Sequence, residues 1–566
     1  VKKLTENHYL KRHTNKKFQM MAFILLITGL IFLQSGFYST FFHLLTSSAL
    51  NPAGLPETAD ISVSRLIAAD TTEAPRTARP TEPAEYSESG SHLETKIQEL
   101  LDFYDIPGAG AALISAGGVV WTGYFGYADL SEGRAVTADT LFRAESITKS
   151  LTAWAVMNLA EKEKLDLDTP ALEYLSSWQL PETEYSAEKM TIRQLLSHSS
   201  GLTGGSEFEV PEKTRPPLEE VLDGEHGLHQ ARLVREPGTG FEYSNQGFII
   251  LEMIVEEITG QDYEEYFQQE ILAPLNIQGY FTIDREIQER LAVSYQLDGG
   301  EVPLYTDPFK SAGGLLITTE ELARFFAAAF SDCSEEVLTA ETRKEMYQPA
   351  VETTGFYGLG SDASGLGHFI EYYTRDEQSA EHKKDNAIVN KIEYHKEPGD
   401  AGEAAVFHGG EGTGSLSYVY LYPERQEGLI LLTNSKRSWP FLAEVLGAWS
   451  ETRQLPVPAI TTVFSRVILG INILTGLLAL IALLKIALLI RSVTRGRRYF
   501  DPFAVHNTIP RLLNSSGAVL LLLLWWLLGE MLVTNLQPVR YNRLGLAVSL
   551  LAVSLLLSAL FAPEES

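Results

Sequence analysis

The sequence predicts an α+β fold: an antiparallel sheet flanked by helices beside a mostly helical region, with transmembrane helices at both ends of the chain. Short strand-like runs at 110–123 and 416–432 bracket a middle with helical periodicity, so strands from both ends must share one sheet. Apolar runs with basic flanks at 21–45 and beyond residue 456 surround an acidic centre, which reads as membrane ends around a water-facing domain.

The elements follow in order. Residues 1–20 form a basic cytoplasmic segment (Lys2, Lys3, Lys11, Arg12, Lys16, Lys17). Residues 21–45 are a signal anchor or a cleaved signal peptide. Ser47-Ser48-Ala49 offers a cleavage site, and the long basic stretch in front favours the anchor. Residues 46–91, rich in Pro, Thr, Ala, Ser and Glu, bury too little to offset chain entropy and form a disordered linker. The globular unit is 92–453. It opens on a helix marked by Leu93, Ile97, Leu100 and Leu101, followed by a hairpin turning at Ala116-Gly117-Gly118. Helices follow at 146–163 and 247–260, and strands at 416–422 and 428–432. A long polar insertion at about 361–405 reads as a solvated loop, with a hairpin of 368–374 against 387–395 available to it. A lid is the alternative, because the insertion ends close to His408.

Three apolar stretches end the chain, at 467–490, 512–533 and 544–562, each close to the ~20 residues that cross a hydrocarbon core. The loop 491–511 holds Arg491, Arg495, Arg497, Arg498 and Arg511, whereas the next loop has only Arg540 and Arg543. The positive-inside rule puts the first loop in the cytoplasm and the 92–453 unit outside. The expectation is a multi-pass cell-membrane protein in contact with the lipid bilayer. It makes four crossings with both termini cytoplasmic, or three if 21–45 is removed.

The formal charge of −28 over 566 residues argues against nucleic acid as a partner, and Cys333, standing alone, against an intrachain disulfide or thiolate cluster. Gly-x-Ser-x-Gly, His-Glu-x-x-His and the phosphate-binding Gly-x-x-x-x-Gly-Lys-Ser/Thr loop are absent. His226 and His229 lack a third ligand, so no metal and no cofactor is expected.

The chemistry concentrates in three places. In Phe142-Arg143-Ala144-Glu145-Ser146-Ile147-Thr148-Lys149, Ser146 starts a helix and Lys149 lies one turn on, on the same face. The helix start favours a developing oxyanion, and a desolvated lysine can take the hydroxyl proton. Tyr243-Ser244-Asn245 stands just before an amphipathic helix. His408-Gly409-Gly410 follows a β-forming run. Each has a bland counterpart, an N-cap, a core tyrosine or a Gly-rich turn. Their conjunction in one domain is what carries weight.

Ser146-x-x-Lys149, Tyr243-x-Asn245 and His408-x-Gly410 resemble the three active-site motifs of the class C β-lactamase and penicillin-binding peptidase family. The resemblance covers about 92–453 and includes Ile106-Pro107-Gly108, residues 123–129, residues 191–202, Ser311-Ala312-Gly313-Gly314-Leu315 and Leu432-Thr433-Asn434. It implies the β-lactamase/transpeptidase-like fold with the site between sheet and helical region. It also implies that Ser146 is acylated, that Lys149 and Tyr243 handle protons, and that Asn245 orients Lys149 and the substrate amide. The backbone N–H groups of Ser146 and of a residue after Gly410, Glu411, would form the oxyanion hole. His408 departs from the family, whose lactamases usually carry lysine there. His198 sits in a family-like segment and reads as structural.

The expected function is a membrane-anchored extracytoplasmic serine hydrolase, carboxypeptidase- or esterase-like, acting on peptide, amide or ester bonds of small-molecule or peptidoglycan-like cell-wall substrates. The alternatives are a penicillin-binding-like receptor or scaffold with little turnover, and a true β-lactamase.

Overall fold

The computed structural model describes residues 84–204, 215–225, 229–307, 309–331, 334–354, 357, 360–374, 401–501, 508–527 and 538–563. The expectations for 1–20 and 21–45, most of the linker, His226, Cys333 and the insertion between 375 and 400 lie outside these residues. Two compact units divide the chain: one holds 74–478 with 523–548, the other 479–522 with 549–566.

The first unit is organised by a nine-stranded sheet. In chain order its strands are β1 (Gly108–Ser115), β2 (Gly118–Asp129) and β3 (Arg134–Ala135). A separate pair follows, β4 (Leu141–Arg143) with β5 (Leu316–Thr318). The sheet resumes with β6 (Val351–Glu352), β7 (Ala363–Ser364), β8 (Phe369–Thr374), β9 (Ala401–Glu411), β10 (Leu416–Tyr422) and β11 (Glu427–Thr433). The spatial order is β3-β2-β1-β11-β10-β9-β8-β7-β6, with antiparallel pairing at every step. The join between the two ends of the chain is β1 with β11, in the register Ala112↔Ile430. The first hairpin turns where expected, with Ala116 and Gly117 both at positive φ (48° and 74°), the primed-turn backbone that matches strand twist.

Period-two patterning sorts the sheet into two faces. Ala109, Ala111 and Leu113 of β1, Tyr418, Tyr420 and Tyr422 of β10, and Leu429 and Leu431 of β11 pack on one side. They meet α1 (Ala84–Tyr104), through Leu93, Ile97 and Leu100, and the later helix Ser438–Thr452, through Phe441, Val445 and Trp449. The opposite residues, Ala112, Val419, Ile430 and Leu432, face the helical region. That region contains α2 (Thr148–Glu161), α3 (Asn245–Thr259) and α4 (Thr319–Ala328). Thr148 through Leu159 of α2 are all buried, so this helix runs through the core. α3 is defined by its caps: Ser244 Oγ accepts from Gly247 N, and Gly260 ends the helix at φ 68°.

β8 lies at the strand expected over 368–374 and pairs with β9 in the register Phe369↔Phe407. The hairpin partner expected at 387–395 lies outside the described residues. The stretch read as polar insertion therefore contributes β7, β8 and the start of β9 to the sheet. Two of its strand residues are buried carboxylates. Glu371 accepts from Tyr420 Oη at 2.6 Å, and Glu403 pairs with Arg425 at 2.6 Å.

With Ser438–Thr452 named α5, the chain continues into α6 (Ala459–Thr494), α7 (Thr508–Leu527) and α8 (Pro538–Leu560). Among the described residues two helical stretches, Ala459–Thr494 and Arg543–Leu560, are long and apolar enough by length and composition to cross a membrane. The apolar part of α7, Ile509–Trp525, is shorter. In the second unit β12 (Arg498–Phe500) pairs with β13 (Phe561–Pro563).

Candidate active site

Ser146 lies in a single 3₁₀ turn, Glu145–Ile147, that runs directly into α2. The residue before it, Glu145, is held at φ 49°, a left-handed conformation that a glutamate adopts only when its surroundings impose it. Those surroundings are visible. The Glu145 carboxylate is buried and accepts hydrogen bonds from Ser415 Oγ (2.6 Å) and Tyr305 Oη (3.2 Å). The carbonyl of Ala144 accepts from Ser417 Oγ at 2.5 Å. Strand β10 and its preceding turn thus fix the backbone on which the serine sits.

Lys149 is fully buried one turn into the helix. Its Nζ donates to Ser146 Oγ at 3.1 Å and to the carbonyl of Ala312 at 2.6 Å. Ala312 belongs to the Ser311-Ala312-Gly313 segment, so this segment orients the lysine. Asn245 is expected to do so, but its Oδ1 is buried and accepts no hydrogen bond from the described residues. Tyr243 brings its ring over the lysine, with Nζ 5.1 Å from the ring centroid.

Tyr243 is itself fixed by rings. It stacks on Tyr357 (5.1 Å between centroids) and lies 4.3 Å from the buried ring of His198. His198 Nδ1 accepts from the backbone N–H of Ser244, between Tyr243 and Asn245. Burial, with Lys149 nearby, lowers the His198 pKa well below the usual imidazole value.

The third motif arrives on β9. Gly410 is required by space: a Cβ there would stand 2.3 Å from Ser417 Oγ, 2.5 Å from the Ala144 carbonyl oxygen and 2.7 Å from Glu145 Cβ. The strand can therefore close on the nucleophile turn only at a glycine. His408 is buried, and its Nδ1–H donates to the carbonyl of Gly409 at 2.8 Å. Its Nε2 has no partner among the described residues. Burial first and Lys149 second push its pKa down to about 3. The Glu411 side chain is held by Trp439 Nε1 (2.9 Å) and Lys436 Nζ (2.6 Å).

Ser146, Tyr243, Asn245, His408 and Glu411 line one cleft, with Lys149 beneath Ser146. Several of its walls were not anticipated: Glu145, Tyr305, Asp307, Tyr357, Phe369, Trp439, and Ile460, Val463 and Phe464 of α6. Burial, and Glu145 after it, raise the Asp307 pKa to about 7. Asp307 stands only four residues before the Ser311 segment, the one local hint available in the sequence. Among the described residues no group of three or more His, Cys, Asp or Glu side chains is arranged to hold a metal ion.

Comparison with known proteins bears on the family of the chain. The family model described as Beta-lactamase matches residues 93–448. Penicillin-binding protein 4 of Amycolatopsis lactamdurans is 26% identical over 370 residues, covering 63% of this chain and 88% of that protein. Protein flp of Staphylococcus aureus (strain NCTC 8325 / PS 47) is 24% identical over 372 residues, 64% of this chain. The match spans 66% of that relative, just under two thirds of its length. Among solved structures, the octameric penicillin-binding protein homologue from Pyrococcus abyssi superposes with a TM-score of 0.53 at 26% identity. It covers 67% of this chain and 81% of that one. With well over half of its length inside the family model, the chain belongs to the β-lactamase family of penicillin-binding and β-lactamase-like serine hydrolases.

Proposed function

We propose that this chain is a membrane-anchored, extracytoplasmic serine hydrolase that forms an acyl-enzyme on Ser146 and cleaves amide or ester bonds of cell-wall-related substrates. The observation that carries the reading is the contact between the buried Lys149 Nζ and Ser146 Oγ at 3.1 Å, inside a cleft that also presents Tyr243 and Asn245.

In this reading Ser146 Oγ attacks the substrate carbonyl while its proton passes to Lys149 or Tyr243. The carbonyl oxygen, now negative, lies against the backbone N–H groups of Ser146 and Glu411. The carbon–nitrogen or carbon–oxygen bond breaks, and the leaving group departs with the proton. Water, deprotonated by the same pair, then breaks the Ser146 ester and releases the acid. Asn245 Oδ1, without a partner among the described residues, is suited to accept from a substrate amide N–H. The hydrophobic lengths of α6 and Arg543–Leu560 support the anchor, and the arginines of 491–511 support a cytoplasmic side for that loop.

The test is a fluorophosphonate probe applied to the full chain in detergent and to Ser146→Ala. Labelling of the wild type that disappears in the variant supports the assignment. Labelling that persists in Ser146→Ala overturns it.

A further inference from the structure

Residue 448 ends the family match, yet α6, which starts at Ala459, supplies part of the cleft wall. Ile460, Val463 and Phe464 share one helical face and line the same cleft as Ser146. The start of this helix is bonded to the hydrolase body. Ala459 N donates to the Glu371 carboxylate (2.9 and 3.2 Å). Thr461 Oγ1 donates to the carbonyl of Ala443 (2.9 Å), and the Phe464 ring stacks on Trp439 with 9° between planes. Gly409 also lines the cleft, and a Cβ there would stand 3.1 Å from the Tyr418 ring and 3.7 Å from Trp439.

On the same helix, exposed Ser465 and Arg466 follow Phe464, and exposed apolar residues begin at Val467. Val467, Leu469 and Ile473 are 46%, 58% and 54% exposed. At ~1.5 Å per residue, Val467 lies about 4.5 Å along the axis from Phe464. One helix thus carries an apolar cleft wall and, starting one turn further on, a lipid-compatible surface, with Arg466 placed between them as an interfacial cation.

We infer that the cleft takes an amphiphile: an ester or amide whose polar end reaches Ser146 while an alkyl limb lies against Trp439, Ile460, Val463 and Phe464. The limb enters from the bilayer surface at the start of α6. This rests on the hydrolase reading of Ser146 and adds the substrate class. Each methylene buried along that wall is worth roughly a three- to fourfold gain in affinity.

The experiment uses the full chain in lipid nanodiscs with 4-nitrophenyl esters of acetic, butanoic, hexanoic and octanoic acids. kcat/KM is expected to rise at least tenfold along the series. In a Val463→Asn, Phe464→Asn double variant the rise should flatten to within about threefold. Partition of the esters into the disc is common to both proteins and cancels. A second arm measures equilibrium binding of the matching N-acyl-4-nitroanilides to full-chain Ser146→Ala, with and without the double substitution. Affinity that climbs with chain length and loses that climb in the double variant supports the apolar subsite even if wild-type turnover is absent, in which case the hydrolase reading is what fails. Flat responses in both arms, or a climb untouched by the double variant, overturn the inference.

Discussion

Lys149 Nζ is shared between two oxygens, the Ser146 hydroxyl at 3.1 Å and the Ala312 carbonyl at 2.6 Å. The carbonyl is the shorter partner and cannot accept a proton at neutral pH. It therefore aims the lysine, and the serine hydroxyl is a partner with which a proton can be exchanged. Lys149→Ala should slow fluorophosphonate labelling of Ser146 by about 10²- to 10⁴-fold, the usual contribution of a positioned proton acceptor. Lys149→Arg should not restore it, because a guanidinium stays protonated and is too large for a fully buried site. A labelling rate within tenfold of wild type in either variant would remove Lys149 from the proton path.

Gly410 and Ala144 make a second testable contact. Gly410→Ala puts a methyl 2.5 Å from the Ala144 carbonyl oxygen and 2.3 Å from Ser417 Oγ, so β9 must retreat from the nucleophile turn. Overpacking of this kind costs ~1–3 kcal/mol, and thermal unfolding should show it alongside lost labelling. At Gly409 the nearest neighbour of a new Cβ is a ring carbon at 3.1 Å, so Gly409→Ala should cost less. Equal losses at the two positions would contradict this account.

Asp307 gives the fold a pH dependence whose sign is fixed. Its pKa is raised from 3.8 to about 7, by burial first and by Glu145 second. Arg215 and Lys149 also face it and pull the other way. An acid that holds its proton more tightly when folded favours the folded state below its unfolded pKa, and that advantage is lost as pH rises from about 4 through 7. Asp307→Asn should therefore narrow the difference in Tm between pH 5 and pH 8. Glu252, also raised to about 7 by burial, retains its own share of the dependence. An unchanged difference in the variant would count against the assignment.

Much of this site could be read from local spacing. Ser146 and Lys149 are one helical turn apart, and the turn between β1 and β2 is written in Ala116 and Gly117, so short-range geometry reported both. What escaped depends on distant parts of the chain. Tyr305 reaches Glu145 across 160 positions and Ser415 reaches it across 270, and no local pattern announces such pairings. The β8–β9 pairing was concealed for a different reason. Glu371 and Glu403 carry the polarity of a loop but are buried with partners, and a hydropathy pattern does not distinguish a satisfied carboxylate from a solvated one. The α6 wall was hidden because an apolar run long enough to span a membrane gives no sign that its first turns face a cleft.

The last prediction concerns what His408 can recognise. A lysine at this position would offer a permanent charge to a substrate carboxylate. The imidazole here, with its pKa pushed down to about 3, is neutral across the physiological range. Its tautomer follows from its neighbour: Nδ1 faces the Gly409 carbonyl at 2.8 Å, an acceptor, so Nδ1 carries the hydrogen. Nε2 is then a lone pair without a partner among the described residues. A carboxylate would meet that lone pair as acceptor against acceptor, whereas an amide N–H, a hydroxyl or an ammonium would satisfy it. Substrates with a free carboxylate beside the scissile bond should therefore be turned over no faster than their methyl esters. His408→Lys should shift the preference toward the free acid by about tenfold or more, the scale of one charge-assisted hydrogen bond. The profile of kcat/KM against pH should also lack an inflection near the ordinary imidazole value of ~6.5 arising from this residue. For stability the sign is opposite to that of Asp307. A base that resists protonation when folded contributes stability above its unfolded pKa and loses it as pH falls through about 6.5 toward 3. The decisive measurement is kcat/KM for a matched acid and methyl ester at pH 8, in wild type and His408→Lys. A wild-type enzyme that already favours the free acid tenfold would show that another group supplies the charge and that His408 does not set this specificity.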